Sequence, residues 1–306
     1  MSDLVRPIQW YPGHMAKARR LLKEQISRVD LVVEVCDARI PMSSRNPDLV
    51  SLAGKKPHLL MLNKADLADP AVSSRWIAFF RREGIVPYLT RFSGMRSKEV
   101  LSMIERATRE HVERAMEKGI RKTVRVMIVG IPNVGKSTMI NLLNGKGVTR
   151  TGDRPGVTKA NQWVRITPYL ELLDTPGLLW PRFDDQDAAR KLCYIGSLKD
   201  DVLDLYDLTV RLLEDLCALA PDQVASRFRL RDSSLRGTEL LDAVCAGRGW
   251  LLKGNQYDYD RCCSVVLDEF RAGKVGRFTL EKPEDYMQGE NKHERPDGTC
   301  DHADGI

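Results

Sequence analysis

The stretch VRVMIVGIPNVGKSTMINLL, residues 124–143, divides into three unlike parts. Val124–Val129 is a near-continuous aliphatic run, which suits a strand covered on both faces of a parallel sheet. Gly130 to Ser137 matches G-x-x-x-x-G-K-[ST], and helical spacing resumes from about Ser137 to Leu143. Strand, glycine loop and helix together make a phosphate cradle. The glycines let backbone N–H groups and the helix N-terminus point at one anion, so Val134, Gly135, Lys136, Ser137 and Thr138 are expected to bind a nucleotide. Lys136 would bring a cation to the β and γ phosphates, and Ser137 a hydroxyl to Mg²⁺.

Downstream, the candidate strand Tyr169–Leu173 ends at Asp174-Thr-Pro-Gly177. Alone this is a turn signal; after a phosphate cradle it is where an aspartate holds Mg²⁺ and a glycine N–H senses the γ-phosphate. A nucleotide switch also needs a threonine on the metal, and of Thr149, Thr151 and Thr158 the expected one is Thr158, in RPGVT. Upstream, the apolar runs Leu31–Cys36 and Leu59–Leu62 read as buried strands, with a further strand at Val86–Thr90 and helices at 15–27, 71–82 and 98–118. This alternation predicts an α/β, doubly wound sheet. The tetrapeptide Asn63-Lys64-Ala65-Asp66 follows the second strand, at the carboxyl edge where such sheets bind ligands. A carboxylate at Asp66 accepts from both the ring N–H and the exocyclic amine of guanine, a donor pair that adenine lacks.

The base-selecting tetrapeptide thus precedes the phosphate cradle, the reverse of the usual order. A circular permutation accounts for this without altering the site. From about Asp185 to Arg277 the apolar spacing is helical throughout, so an all-helical domain is expected after the sheet. The division predicted is a basic N-terminal segment and helix over 1–28, a nucleotide-binding domain over 29–180, a helical domain over 185–280 and an acidic, disordered tail over 281–306.

Composition narrows the class. Of 306 residues 42% are hydrophobic and 29% charged, as in globular domains, and no apolar run is long enough to span a membrane. Seven scattered cysteines without a C-x-x-C pair fit neither a disulfide framework nor a zinc ribbon and point to a reducing cytoplasm. Residues 1–28 hold six Lys/Arg against two acids, and residues 281–306 hold eight acids against three bases. The basic start suits a phosphate-rich partner such as RNA. Candidate RNA contacts are Lys17, Arg19, Arg20 and Lys23 on the first helix, and Arg227, Arg229, Arg231 and Arg236, with Phe228 and Trp250 interleaved for stacking.

Taken together, WYPGHMAKARR (10–20), DARIP (37–41), NKADL (63–67), GIPNVGKST (130–138), RPGVT (154–158), DTPGLLWP (174–181) and the late YDYDR…FRAGKVGRFTLE (257–281) resemble the bacterial ribosome biogenesis GTPase A family, over about residues 8–281. The resemblance implies a circularly permuted P-loop GTPase that binds GTP and GDP. It further implies action in late maturation of the large ribosomal subunit, with a helical domain that touches ribosomal RNA of the precursor. It adds Ser93 as a base contact, here in Ser-Gly where the family has Ser-Ala. Leu178 stands where a signalling GTPase carries its water-orienting glutamine. The family analogy points instead to His14 as the catalytic group, although a histidine before a helix also reads as a cap. Asn133 is similar to the asparagine that holds K⁺ in potassium-activated GTPases, and otherwise reads as a loop-stabilising residue. A monomer is expected, and the alternative to a hydrolytic switch is an RNA-binding scaffold that holds GTP with little turnover.

Overall fold

The computed structural model describes residues 12–54, 56–145, 162–174, 186–198 and 204–287, without the side chains of 12–19, 162 and 174. Six strands form one sheet: β1 (Leu31–Asp37), β2 (His58–Asn63), β3 (Val86–Leu89), β4 (Val124–Val129), β5 (Gln162–Thr167) and β6 (Leu170–Asp174). Their order is β3-β2-β1-β4-β6-β5, parallel except for β5, which runs antiparallel to β6 as a hairpin. Counted from the phosphate-loop strand β4 as first, the same order reads 2-3-1-4-5-6 from the other edge. The permutation therefore changes where the chain is cut and leaves the sheet intact.

All seven residues of β1 are buried, as expected of a central strand covered on both sides. Val33, Val35, Met61, Val126 and Ile128 face helices α4 (Ser97–Glu117) and α5 (Lys136–Asn144), which contribute Val100, Ile104, Met139 and Ile140. On the other face, Val32, Met127 and Val129 meet Leu22 and Ile26 of α1 (Pro12–Ser27) and Leu49 of α2 (Leu49–Ala53). There too Leu60 and Leu62 cover Trp76 and Phe80 of α3 (Pro70–Arg82). Helix α3 starts where it does because the Asp69 carboxylate accepts from Val72 N–H and Pro70 opens the first turn.

The second half is helical: α6 (Gln186–Tyr194), α7 (Leu205–Leu219), α8 (Pro221–Phe228), α9 (Gly237–Arg248) and α10 (Tyr259–Arg271). Its core, including Leu212, Leu216, Phe228, Leu241, Val266 and Phe270, is continuous with one face of the sheet.

Some expectations need correcting. Helix α1 starts at Pro12, so His14 lies inside its first turn and does not precede the helix. Phe228 and Trp250, expected to stack on RNA, are buried and belong to the core. Residues 281–287, assigned to the tail by composition, are anchored on the sheet domain. Trp76 Nε1 donates to the Glu281 carbonyl at 3.0 Å, Tyr286 lies 5.6 Å from the Trp76 ring, and α11 (Glu284–Met287) sets Glu284 2.9 Å from Arg75. The chain from Gly273 to Glu281 is thus a strap that returns from the helices across the sheet domain. Residues 288–306 lie outside the described residues. No described helix is long and apolar enough to cross a membrane.

Candidate active site

Every predicted nucleotide motif that is described sits at the carboxyl edge of the sheet, around β4 where the strand order reverses. The phosphate loop needs its glycines for shape. Gly130 (φ 154°) and Gly135 (φ 109°) both occupy positive φ. A Cβ at Gly130 would strike the Val35 carbonyl, and one at Gly135 the Asn63 amide. Lys136 is buried, and its ammonium donates to the Ile131 carbonyl at 2.8 Å, which holds the cation over the loop. Ser137 and Thr138 lie half-buried in the first turn of α5, whose N-terminal end carries partial positive charge.

Asn63 does more than open the base motif. Its Nδ2 donates to the Val134 carbonyl at 2.7 Å, and its Oδ1 accepts from Phe92 N–H at 3.1 Å. One buried amide therefore joins the phosphate loop, the base loop and the loop after β3. Ala65 N–H donates to the Thr90 carbonyl at 3.1 Å, holding the last two together. Ser93 lies in that third loop and is exposed. Asp66 is partly exposed, with its carboxylate 3.3 Å from Arg91 Nε.

Lys64 takes positive φ (58°), and its ammonium lies 3.1 Å from the Asp37 carboxylate at the end of β1. Asp37 is wholly buried. Burial pushes its carboxyl up, and Arg39 and Lys64 more than reverse this, so it stays well below the usual carboxylate range. Neither Asp37 nor Arg39 stood out in the sequence as part of the site, although DARIP contributed to the family likeness. An acid closing a buried strand beside a ligand edge was the available signal.

Other site residues fall partly or wholly beyond description. Asp174 ends β6 with its backbone in register with Ile128, at the phosphate-loop edge, but its side chain is not described. Thr158 and Gly177 lie outside the described residues, as do the side chains of His14, Lys17 and Arg19. Asn133 has positive φ (62°), and its Nδ2 donates to the Gly196 carbonyl just after α6 at 2.7 Å. Ser197 Oγ donates to the Pro132 carbonyl at 2.7 Å. The phosphate loop is thereby clipped to the helical region.

Of the expected RNA contacts, Arg20, Arg229, Arg231 and Arg236 are exposed. Arg227 is not free: its guanidinium makes a bidentate pair with Glu269 at 2.9 and 2.6 Å.

The donor set suits a magnesium-nucleotide: backbone N–H groups at a helix N-terminus, a buried lysine, a first-turn hydroxyl and an aspartate-ending strand at one edge. Comparison with known proteins agrees. A family model described as 50S ribosome-binding GTPase matches residues 125–224. Ribosome biogenesis GTPase A of Priestia megaterium is 43% identical over 284 residues, covering 92% of this chain and 99% of that protein. Its Thermotoga maritima counterpart is 33% identical, covering 91% and 95%. Mitochondrial ribosome-associated GTPase 1 of Bos taurus is also 33% identical, covering 94% and 91%. The crystal structure of GNP-bound YlqF from T. maritima superimposes with a TM-score of 0.62 at 29% identity, covering 88% of this chain and 99% of that one. With a permuted sheet, a phosphate loop and a guanine-type tetrapeptide matched end to end by such relatives, this chain is a GTPase and belongs to the ribosome biogenesis GTPase A family.

Proposed function

We propose that the protein is a GTP-hydrolysing switch in late maturation of the large ribosomal subunit, binding ribosomal RNA of the precursor through its helical domain. It acts as a cytoplasmic monomer. The observation that carries this reading is the clip between the phosphate loop and the helical region, Asn133 to Gly196 and Ser197 to Pro132. It sets the domain that bears Arg229 and Arg231 directly against the loop that holds the phosphates.

In this reading Lys136 and the loop N–H groups bind the phosphates, Ser137, Asp174 and Thr158 hold Mg²⁺, and Asp66 and Ser93 read the base. Mg²⁺ supplies neutralisation of the β and γ oxygens when bound. Gly177 senses the γ-phosphate, and His14 serves hydrolysis in place of the glutamine that Leu178 cannot supply. The Asn133 amide nitrogen is engaged with Gly196, so its carbonyl oxygen is the atom that would take K⁺. Lys17, Arg19 and Arg20 of α1 add a second basic face toward RNA.

The test is GTP turnover and sedimentation with purified large-subunit precursors at fixed salt. A switch is stimulated by the particle and binds it more tightly with a non-hydrolysable GTP analogue than with GDP. Unstimulated turnover together with equal binding in both nucleotide states would identify the GTP-holding scaffold instead, a reading that Leu178 permits.

A further inference from the structure

The base loop is held from two sides. Asn63 ties it directly to the phosphate loop, and a second path between the same two loops runs through the helical domain.

That path starts at Lys64, whose ammonium meets Asp37 Oδ2 at 3.1 Å. Arg39 grips the same carboxylate with a parallel fork, Nε to Oδ1 at 2.9 Å and Nη2 to Oδ2 at 2.8 Å. Its remaining nitrogen, Nη1, donates to the carbonyls of Phe270 and Arg271 at 3.3 and 3.4 Å. These are the last carbonyls of α10, the negative end of that helix, and the guanidinium also lies 5.1 Å from the centre of the Phe270 ring. From the same helix end, Arg271 donates to the carbonyls of Tyr194 and Cys193 at 3.1 and 2.9 Å. Two and three residues further along, Gly196 and Ser197 hold Asn133 and Pro132 of the phosphate loop. The strap adds backbone bonds beside it: Leu280 N–H to the Arg39 carbonyl at 2.8 Å and Phe278 N–H to the Leu67 carbonyl at 3.0 Å.

We propose that Arg39 and Arg271 are positioning residues for guanine-nucleotide binding, through which the C-terminal end of α10 fixes the base loop on one side and the phosphate loop on the other. Neither arginine needs to touch the nucleotide. Arg39 is suited to this because its planar fork holds both oxygens of Asp37 while its third nitrogen reaches the end of α10, a geometry a lysine ammonium does not reproduce, and Arg271 carries the contact on to the neighbouring carbonyls of Cys193 and Tyr194. Arg39 is fully buried, so its fork is neither screened by salt nor free to choose other partners. Whatever displaces α10 would then loosen both ends of the nucleotide together. The inference goes beyond the ribosomal role and rests only on the guanine selectivity of the NKAD loop.

The full chain is tested without ribosomal particles, by titration with GDP and with inosine diphosphate, which lacks the exocyclic amine that Asp66 would bind. Arg39→Lys keeps the charge beside Asp37 but gives up the fork. Arg271→Ala lies outside the buried cluster and guards against a folding defect in the first variant. Each is expected to speed GDP dissociation about tenfold, the scale of one lost charge-assisted hydrogen bond, and Arg39→Lys also to lower the preference for GDP over the inosine nucleotide. The double variant should lose less than the sum, because both residues act through one helix end. A residue with only a structural role shifts the urea midpoint and leaves the GDP-to-inosine preference alone. Unchanged preference and unchanged GDP dissociation in both variants would overturn the proposal. A wild-type chain that does not distinguish the two nucleotides would instead overturn the guanine assignment itself.

Discussion

Asp66 and Asp37 are both aspartates at the mouth of the site, and their surroundings give them different work. Asp66 is partly exposed, with one arginine alongside, and is accessible to a base. Asp37 has no exposed surface and is fully engaged by Arg39 and Lys64. Replacing Asp66 with Asn should therefore leave the fold intact and move the preference from GTP toward xanthosine triphosphate, since the amide can donate to the carbonyl that replaces the guanine amine. Parallel titrations with the two triphosphates check this, and we expect GTP affinity to fall at least about a hundredfold. The role of Asp66 was legible from a four-residue motif because its chemistry is local. The role of Arg39 was not, because the carbonyls it caps lie 231 and 232 residues further along the chain.

Among the elements, β1 concentrates the electrostatic risk of the fold. It carries two fully buried acids, Glu34 and Asp37. Burial pushes the Glu34 carboxyl up, and Arg45, His58 and the Asn46 N–H outweigh it, so Glu34, like Asp37, ionises below its ordinary range. In the unfolded chain these groups take up protons near their ordinary values of 4.5 and 3.8. A folded carboxyl with a depressed value adds stability that is complete above the unfolded value and is lost as the pH falls below it. We expect the urea midpoint to hold from pH 7 to about 5 and to drop steeply below. Glu34→Gln should be less stable at pH 7 by about 3 to 5 kcal/mol, the cost of breaking a buried pair from one side, and should show a shallower acid decline. The strands and major helices were legible because apolar periodicity reports burial directly. The strap was hidden for the opposite reason. The hydrogen bonds from Phe278 and Leu280 N–H that fasten it are made by backbone groups, which leave no trace in residue type, and its last residue, Glu281, looks like the start of an acidic tail while its carboxylate accepts from the backbone N–H groups of Met42 and Ser43.

For the whole molecule, the RNA reading predicts a measurable division of labour. Arg229 and Arg231 are exposed and belong to none of the nucleotide motifs. Replacing both with Ala should weaken precursor binding across RNA sequences and flatten the dependence of log affinity on log salt by roughly 1.5 to 2, while GTP affinity is unchanged. A salt titration of precursor sedimentation, with a GTP-binding control, measures both. The composition of that surface was legible, but its true membership was not: only the folded helices reveal that Arg227 is bound to Glu269. The order of strands also has a consequence for synthesis. β1 is central, paired with β2 on one side and β4 on the other, yet 86 residues lie between its end at Asp37 and the first residue of β4 at Val124. At ~5 to 20 residues per second, the emerging chain holds one open edge of its most fully buried strand for roughly 4 to 17 s before the phosphate-loop strand arrives to cover it. The base loop is made before the loop it must face, and the end of α10 that links both is made after them. A newborn chain of this kind therefore carries its greatest exposure within its first half, while the helix end that fastens the finished loops arrives only near the close of translation.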